Sequence, residues 1–170
     1  MPDKFAALRP AFAKDGTITA ANASKINDGG AAIITMAEDV AKEKGLKPIA
    51  RIVNYADAAV APIDFGIAPA KACEYALKNA GMTLKDIEYH EINEAFSCVA
   101  LANMKLLDLD PTKVNVHGGA VALGHPIGMS GTRIILSLLN VLKEKDATIG
   151  MASICNGGGG ASAMIVERLN

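Results

Sequence analysis

The sequence contains no tryptophan, and only 4% of its 170 residues are aromatic, which excludes a core organised around large rings. Its three cysteines, Cys73, Cys98 and Cys155, are odd in number and widely spaced. That excludes a disulfide framework, points to a reducing compartment and leaves no pair at zinc-ligand spacing. Neither sign of charge dominates, since 17 basic residues face 18 acidic ones. Nucleic-acid binding through bulk positive charge is therefore excluded. Every apolar run is interrupted well short of the roughly 18 residues that a membrane helix needs, so no membrane partner is expected. Met1 to Leu8 carry neither the hydrophobic stretch of an export signal nor the Arg-rich amphipathicity of an organelle signal.

What is present in quantity is small residues. Apolar residues make up 51% of the chain, with 30 alanines and 16 glycines among all residues, so burial comes from close backbone packing more than from bulky side chains. A single globular unit of this length hides roughly 70% of its unfolded surface. Residues 1–30 hold turn formers without sustained period (Pro10, Gly16, Asn22, Asn27, Asp28, Gly29, Gly30) and read as an irregular arm. AAIITM, Ala31 to Met36, predicts a buried strand, followed by a polar helix from Glu38 to Lys44 closed by Gly45. Ile49 to Ala56 predicts a second strand, and the loop of Pro62, Asp64, Phe65 and Gly66 follows.

Pro69 suits the first turn of a helix with Ala70, Cys73, Ala76, Leu77 and Ala80 on one face and Gly81 at its end. A short strand over Asp86 to Ile92 precedes a helix that Asn93 can cap, with Phe96, Val99, Ala100, Met104 and Leu107 inward. Ile134, Ile135, Leu138, Leu139 and Leu142 form the most regular helical stripe, and strands over Ala147 to Cys155 and Ala161 to Glu167 close the chain. Strands alternating with helices predict an α/β layered domain with a mostly parallel mixed sheet covered by helices.

Four features exceed what a core needs. N-E-A-F, Asn93 to Phe96, places a side-chain amide where strand meets helix, and it reads either as a cap or as a polar group exposed for chemistry. In the glycine-rich stretch from Gly118 to Gly131, Pro126 restricts His125 to extended backbone, leaving an imidazole on a rigid loop as acid, base or oxyanion donor, or as a structural histidine. Cys155, at a strand end before four glycines, is either an inert buried thiol or a reactive one beside backbone N–H groups. A phosphate cradle is weaker there, because neither G-x-G-x-x-G nor a P-loop lysine is present. A-A-N-A-S, Ala20 to Ser24, is a turn or a small-residue surface for a thin ligand. An amide, an imidazole and a thiol on separate loops suit chemistry at a carbonyl.

These motifs are recognisable. LRPAF, TITAANAS, NEAF, VNVHGGAVALGHPIGMSGTRI and SICNGGGGASAM together resemble the C-terminal part of the thiolase family, in its acetyl-CoA acetyltransferase (acetoacetyl-CoA thiolase) branch. The resemblance implies a thiolase-like layered fold, with residues 1–48 the tail of the N-terminal domain and 49–170 the C-terminal domain. It implies reversible Claisen condensation of two acetyl-CoA to acetoacetyl-CoA and CoA, with no tightly bound cofactor. Cys155 would be the acid/base thiol, and His125 the imidazole on the thioester oxygen. Asn93 would hold a water that completes the first oxyanion site, and the Gly157 N–H would serve a second. Ser24 and Ala20 would lie along the pantetheine arm, with Phe12, Ala95 and Phe96 lining a tunnel. The backbone carbonyls of Ala20, Ala21, Ala23 and Val121 match positions that hold potassium in some members, together with a tyrosine from a part that this chain lacks.

The family's acyl-accepting cysteine, in V-C-S-S-G surroundings, has no counterpart here, so the chain alone is expected to be inactive and to need a thiolase N-terminal half as partner. The strand over 31–36 would belong to a sheet whose other strands are absent, and would be disordered or paired with another polypeptide. A homo-oligomer, dimer or tetramer, is implied, in the mitochondrial matrix or cytoplasm, with the targeting region outside this chain. Gly66 stands where relatives that accept 2-methyl-branched substrates carry proline, which argues against such acceptance. Two other classes remain: a thiolase-like module that binds CoA or an acyl chain without turnover, and a Cys/His hydrolase using Cys155 and His125 alone.

Overall fold

A run as small and apolar as IGMASIC can be buried on both faces only if a layer covers each side, and the fold supplies both layers. The computed structural model describes residues 2–169; Met1 and Asn170, the outer ends of the two expected segments, lie outside the described residues. Nine elements matter: α1 (Glu38–Glu43), β1 (Ala50–Ala59), α2 (Ala68–Ala80), β2 (Tyr89–Ile92), α3 (Ser97–Leu106), α4 (Ala120–Leu123), α5 (Ser130–Glu144), β3 (Ile149–Cys155) and β4 (Gly160–Arg168). The strands form one sheet in the order β1-β4-β3-β2.

The α/β class and the mixed sheet agree with expectation, but the balance of strand directions does not. Only β2 and β3 run parallel, while β3 with β4 and β4 with β1 are antiparallel. The cause is the short glycine loop from Asn156 to Gly159, which returns the chain directly, where a parallel neighbour would need a helix-length crossover. β1 then adds to the other edge of β4.

Period-two alternation divides the core. Met151, Ala161, Ala163 and Ile165 face α2, whose Ala68, Ala72, Cys73 and Ala76 let the backbones approach closely. Ala152 and Val166 face the stripe of α5, Ile134, Leu138 and Leu142. Gly150 marks how near α5 lies, because a Cβ added there would come within 2.7 Å of Leu138 Cδ1. Leu138 is fully buried, and Leu138→Ala should lower the unfolding free energy by about 2–5 kcal/mol, read from denaturant curves.

The expected strand at Ala31–Met36 does not form. Residues 24–37 carry no regular structure, and Ile34 is 87% exposed. Among the described residues no strand pairs with this segment, and an extended backbone without a neighbour has no ladder to join.

His90 on β2 is buried, and burial, aided by the charge of Lys113, pushes its pKa down to about 4. A histidine depressed in the folded state stabilises above its unfolded pKa and loses that contribution as pH falls. Unfolding free energy should therefore drop by on the order of 3 kcal/mol between pH 6.5 and about 4, and His90→Gln should flatten that part of the profile.

Candidate active site

Because β2 and β3 are parallel, their carboxyl ends emerge at the same edge of the sheet. Asn93 follows β2 and Cys155 ends β3. The Asn93 N–H continues the ladder, donating to Ser153 O at 2.9 Å, which fixes its backbone two residues before Cys155 on the neighbouring strand. Asn93 does not cap a helix. α3 begins at Ser97 with Phe96 in the cap position and no side-chain cap bond. The Asn93 side chain is instead buried and turned to His125, with Nδ2 3.3 Å from Nε2.

The N-terminal arm laces these pieces together. Ser24 N–H donates to Ala95 O at 3.0 Å, Ser97 N–H to Asn22 O at 2.8 Å, and His125 N–H to Lys25 O at 2.9 Å. The arm thus runs between the segment after β2 and the His125 loop. Gly124, at φ +99° with extended ψ, occupies a region open almost solely to glycine, and an added Cβ would overlap the Asn27 side chain. Gly124→Ala should cost about 1–3 kcal/mol of stability and loosen the histidine loop, measurable by thermal or denaturant unfolding.

His125 Nδ1 lies 2.6 Å from Ser130 Oγ. Burial, and then the Arg133 guanidinium, hold the His125 pKa below the usual imidazole value, so the ring is neutral at physiological pH. Cys155 is buried among Ile92, Val99 and Val114, with Ala95 and Phe96 packed against the cluster. Burial pushes its thiol pKa up, and neighbouring Cys98 adds to this, so the group stays protonated at neutral pH until a reaction takes its proton. Gly157 opens the exposed loop that follows, where Gly158 and Gly159 have positive φ. Cys73 is buried in α2 and Cys98 is exposed on α3.

Phe12 reaches back over the same region, its ring edge-on to Phe96 with centroids 5.6 Å apart, and Phe65 meets Phe96 from another side at 6.3 Å. An open cleft of ≈ 290 Å³ beside them is lined by Ile18, Phe65, Gly66, Phe96, Cys98 and Val99. Ala20 is exposed, and its carbonyl accepts from Lys25 Nζ at 2.6 Å. Val121 lies in α4, its N–H donating to Glu94 Oε2 at 3.2 Å.

Sequence reasoning did not single out Glu91, Ser130 or Arg133. Glu91 is 1% exposed, its Oε2 3.5 Å from Arg133 Nη1, and its Oε1 has no hydrogen-bond partner among the described residues. Burial raises its pKa to about 7, against the pull of Arg133. Arg133 Nη2 also donates to Asn93 Oδ1 at 3.2 Å. The signal was available as a glutamate in β2 and an arginine at the head of the apolar stripe of α5, since buried charges are rarely unpaired.

The carboxyl end of the sheet and its loops thus present an amide, a neutral imidazole and a buried thiol. Residues 46–168 match the family model for the thiolase C-terminal domain, and residues 1–39 that for the thiolase N-terminal domain. The chain belongs to the thiolase family. It is 58% identical over 167 residues to a cytosolic acetyl-CoA acetyltransferase of Gibberella zeae, covering 98% of this chain and 42% of that protein. A mitochondrial acetyl-CoA acetyltransferase of Bos taurus is 56% identical, with 98% and 39% covered. Among solved structures, a thiolase of Ascaris suum in complex with coenzyme A superposes with a TM-score of 0.94 at 53% identity, over 99% of this chain and 44% of that one. This thiolase chain thus spans about two-fifths of the length of the relatives it matches. Among its described residues, no helix is long and apolar enough to cross a membrane.

Proposed function

We propose that this chain supplies the proton-transfer and oxyanion half of an acetyl-CoA acetyltransferase, which with a thiolase N-terminal half interconverts two acetyl-CoA with acetoacetyl-CoA and CoA. The observation that carries the reading is the Asn93–His125 contact of 3.3 Å at the sheet edge where Cys155 ends β3. In condensation the N-terminal half carries an acetyl group on its cysteine. Cys155 gives its thiol proton to the CoA that departs as this acetyl group is loaded, and the thiolate so formed takes a proton from the methyl of a second acetyl-CoA. The resulting enolate oxygen accepts from His125 Nε2–H, which carries the proton taken from the first-half cysteine as that thiol was acylated, and from a water on Asn93. The enolate carbon then attacks the acyl-enzyme carbonyl, whose developing oxyanion faces the Gly157 N–H. Collapse breaks the carbon–sulfur bond to the first-half cysteine, whose thiolate recovers its proton from His125, and releases acetoacetyl-CoA.

In the cleavage direction Cys155 returns the proton to carbon. A desolvated thiol with a raised pKa suits both directions, because its thiolate is more basic than an exposed one and its protonated form persists at neutral pH. Aimed oxyanion donors are each worth roughly 3–4 kcal/mol in comparable sites.

The CoA pantetheine arm would follow Ser24 and Ala20, with Phe12, Ala95 and Phe96 as the tunnel wall; the Phe12–Phe96 ring contact and the bond from Ser24 N–H to Ala95 O, which bring these residues together, support this. The CoA named in the Ascaris suum complex supports the same ligand class. Potassium on the carbonyls of Ala20, Ala21, Ala23 and Val121 fits only in part, since the Lys25 ammonium already takes Ala20 O, and no step runs through it. The division at residues 48 and 49 is supported by the family match that begins at residue 46. A homo-oligomer, dimer or tetramer, completes the assembly. Relatives named cytosolic and mitochondrial keep either compartment open to this chain.

The test is reconstitution. Purified chain mixed with a thiolase N-terminal half should cleave acetoacetyl-CoA in the presence of CoA, while neither part does so alone. CoA binding without turnover in the mixture would favour the non-catalytic module, and hydrolysis of acetyl-CoA by the chain alone would favour the Cys/His hydrolase.

A further inference from the structure

We propose that Arg133, held by Glu91, is a positioning residue that decides which nitrogen of His125 carries the proton. A guanidinium can only donate, so the Asn93 atom 3.2 Å from Arg133 Nη2 must be the amide oxygen. The other end of the same amide, an NH2 that also only donates, then faces His125 Nε2 at 3.3 Å. Nε2 is therefore the bare acceptor, and the ring proton sits on Nδ1, donating to Ser130 Oγ at 2.6 Å.

Ser130 cannot make this choice, because a hydroxyl donates or accepts with equal ease. Its own proton has an outlet in Pro126 O at 3.0 Å, which lets it accept from Nδ1. Arg133 is the single-role member of the chain. It is itself held from β2 by the buried Glu91 carboxylate, two residues before Asn93, so one side chain of β2 fixes the group that orients the next. Ser130 and Arg133 stand three apart on the first turn of α5 and share a face.

For the thiolase reading, on which this consequence rests, the result is an imidazole that presents an unprotonated Nε2 before substrate arrives. It can take a thiol proton without first changing tautomer, and the nearby guanidinium disfavours a premature imidazolium. Glu91 and Arg133 touch no reacting atom in this arrangement.

The tautomer can be read without substrate, in nitrogen-15 spectra of the histidine-labelled chain at a pH above imidazole titration. Only three histidines contribute signals. His125 should favour Nδ1–H by at least about fivefold, the effect of one net hydrogen bond. The paired change Glu91→Gln with Arg133→Met removes both buried charges together and should erase that preference. Arg133→Lys, still a donor-only cation, should keep it. Ser130→Ala should also keep it. An Nε2–H ring in the parent, an unchanged ratio in the paired variant, or a lost preference in Ser130→Ala would each overturn the proposal. If the paired variant does not fold, the parent tautomer and Ser130→Ala still decide, since an Nε2–H ring in the one or a lost preference in the other overturns the proposal. Failure of reconstituted thiolysis would leave the tautomer result standing, so the two readings fail separately.

Discussion

Cys155→Ala should lower acetoacetyl-CoA cleavage by the reconstituted pair roughly a hundred- to ten-thousand-fold, the range expected for removing a positioned acid/base group. The thiol is buried in a cluster of aliphatic and aromatic residues, where its proton affinity is raised. Cys73 is buried within α2, and Cys98 is exposed on α3 beside the cleft. Deleting one buried sulfur should leave the fold intact, verified by an unchanged circular dichroism spectrum. Cys155→Ser should be nearly as inactive, because a hydroxyl is a far weaker acid than a thiol. Acetyl transfer between CoA and the first-half cysteine, a step that needs no carbon acid, should survive in both variants.

His125→Ala should produce a different pattern, with both partial reactions suffering. The imidazole is assigned to the thioester oxygen and to activation of the acyl-accepting thiol, so cleavage should fall by at least about a hundred-fold and acetyl transfer should fall with it. The ring is neutral, fixed on one side by Asn93 and on the other by Ser130. Its backbone is anchored to the arm at Lys25. Rapid-quench measurement of acetyl transfer separates the variants: retained in Cys155→Ala and lost in His125→Ala.

Much of this arrangement was legible in the sequence. The helix bounded by Pro69 and Gly81, the stripe from Ile134 to Leu142 and the last two strands lie within a few residues of where pattern places them, because each is specified by local periodicity and a terminator. Strand direction was not legible. The short glycine loop accounts for the antiparallel return of β4 once β3 and β4 are neighbours, but that β1 joins the far edge of β4 antiparallel is set by tertiary packing. The Ala31–Met36 segment has strand composition and forms none, since a strand exists only with a neighbour. Asn93 illustrates the same limit at one residue. Its place before a helix suggests a cap, while the buried Arg133 and the imidazole of His125, distant in sequence, draw its amide elsewhere. Glu91 and Arg133, 42 residues apart, become a pair only once β2 and α5 meet.

Whether Cys155 moves a proton at carbon is decided by deuterium incorporation from D2O into the acetyl methyl of acetyl-CoA, catalysed by the reconstituted pair. Incorporation is expected with the parent chain and none with Cys155→Ala, while exchange of labelled CoA into acetyl-CoA continues in both. Deuterium incorporation that persists in Cys155→Ala would contradict that role.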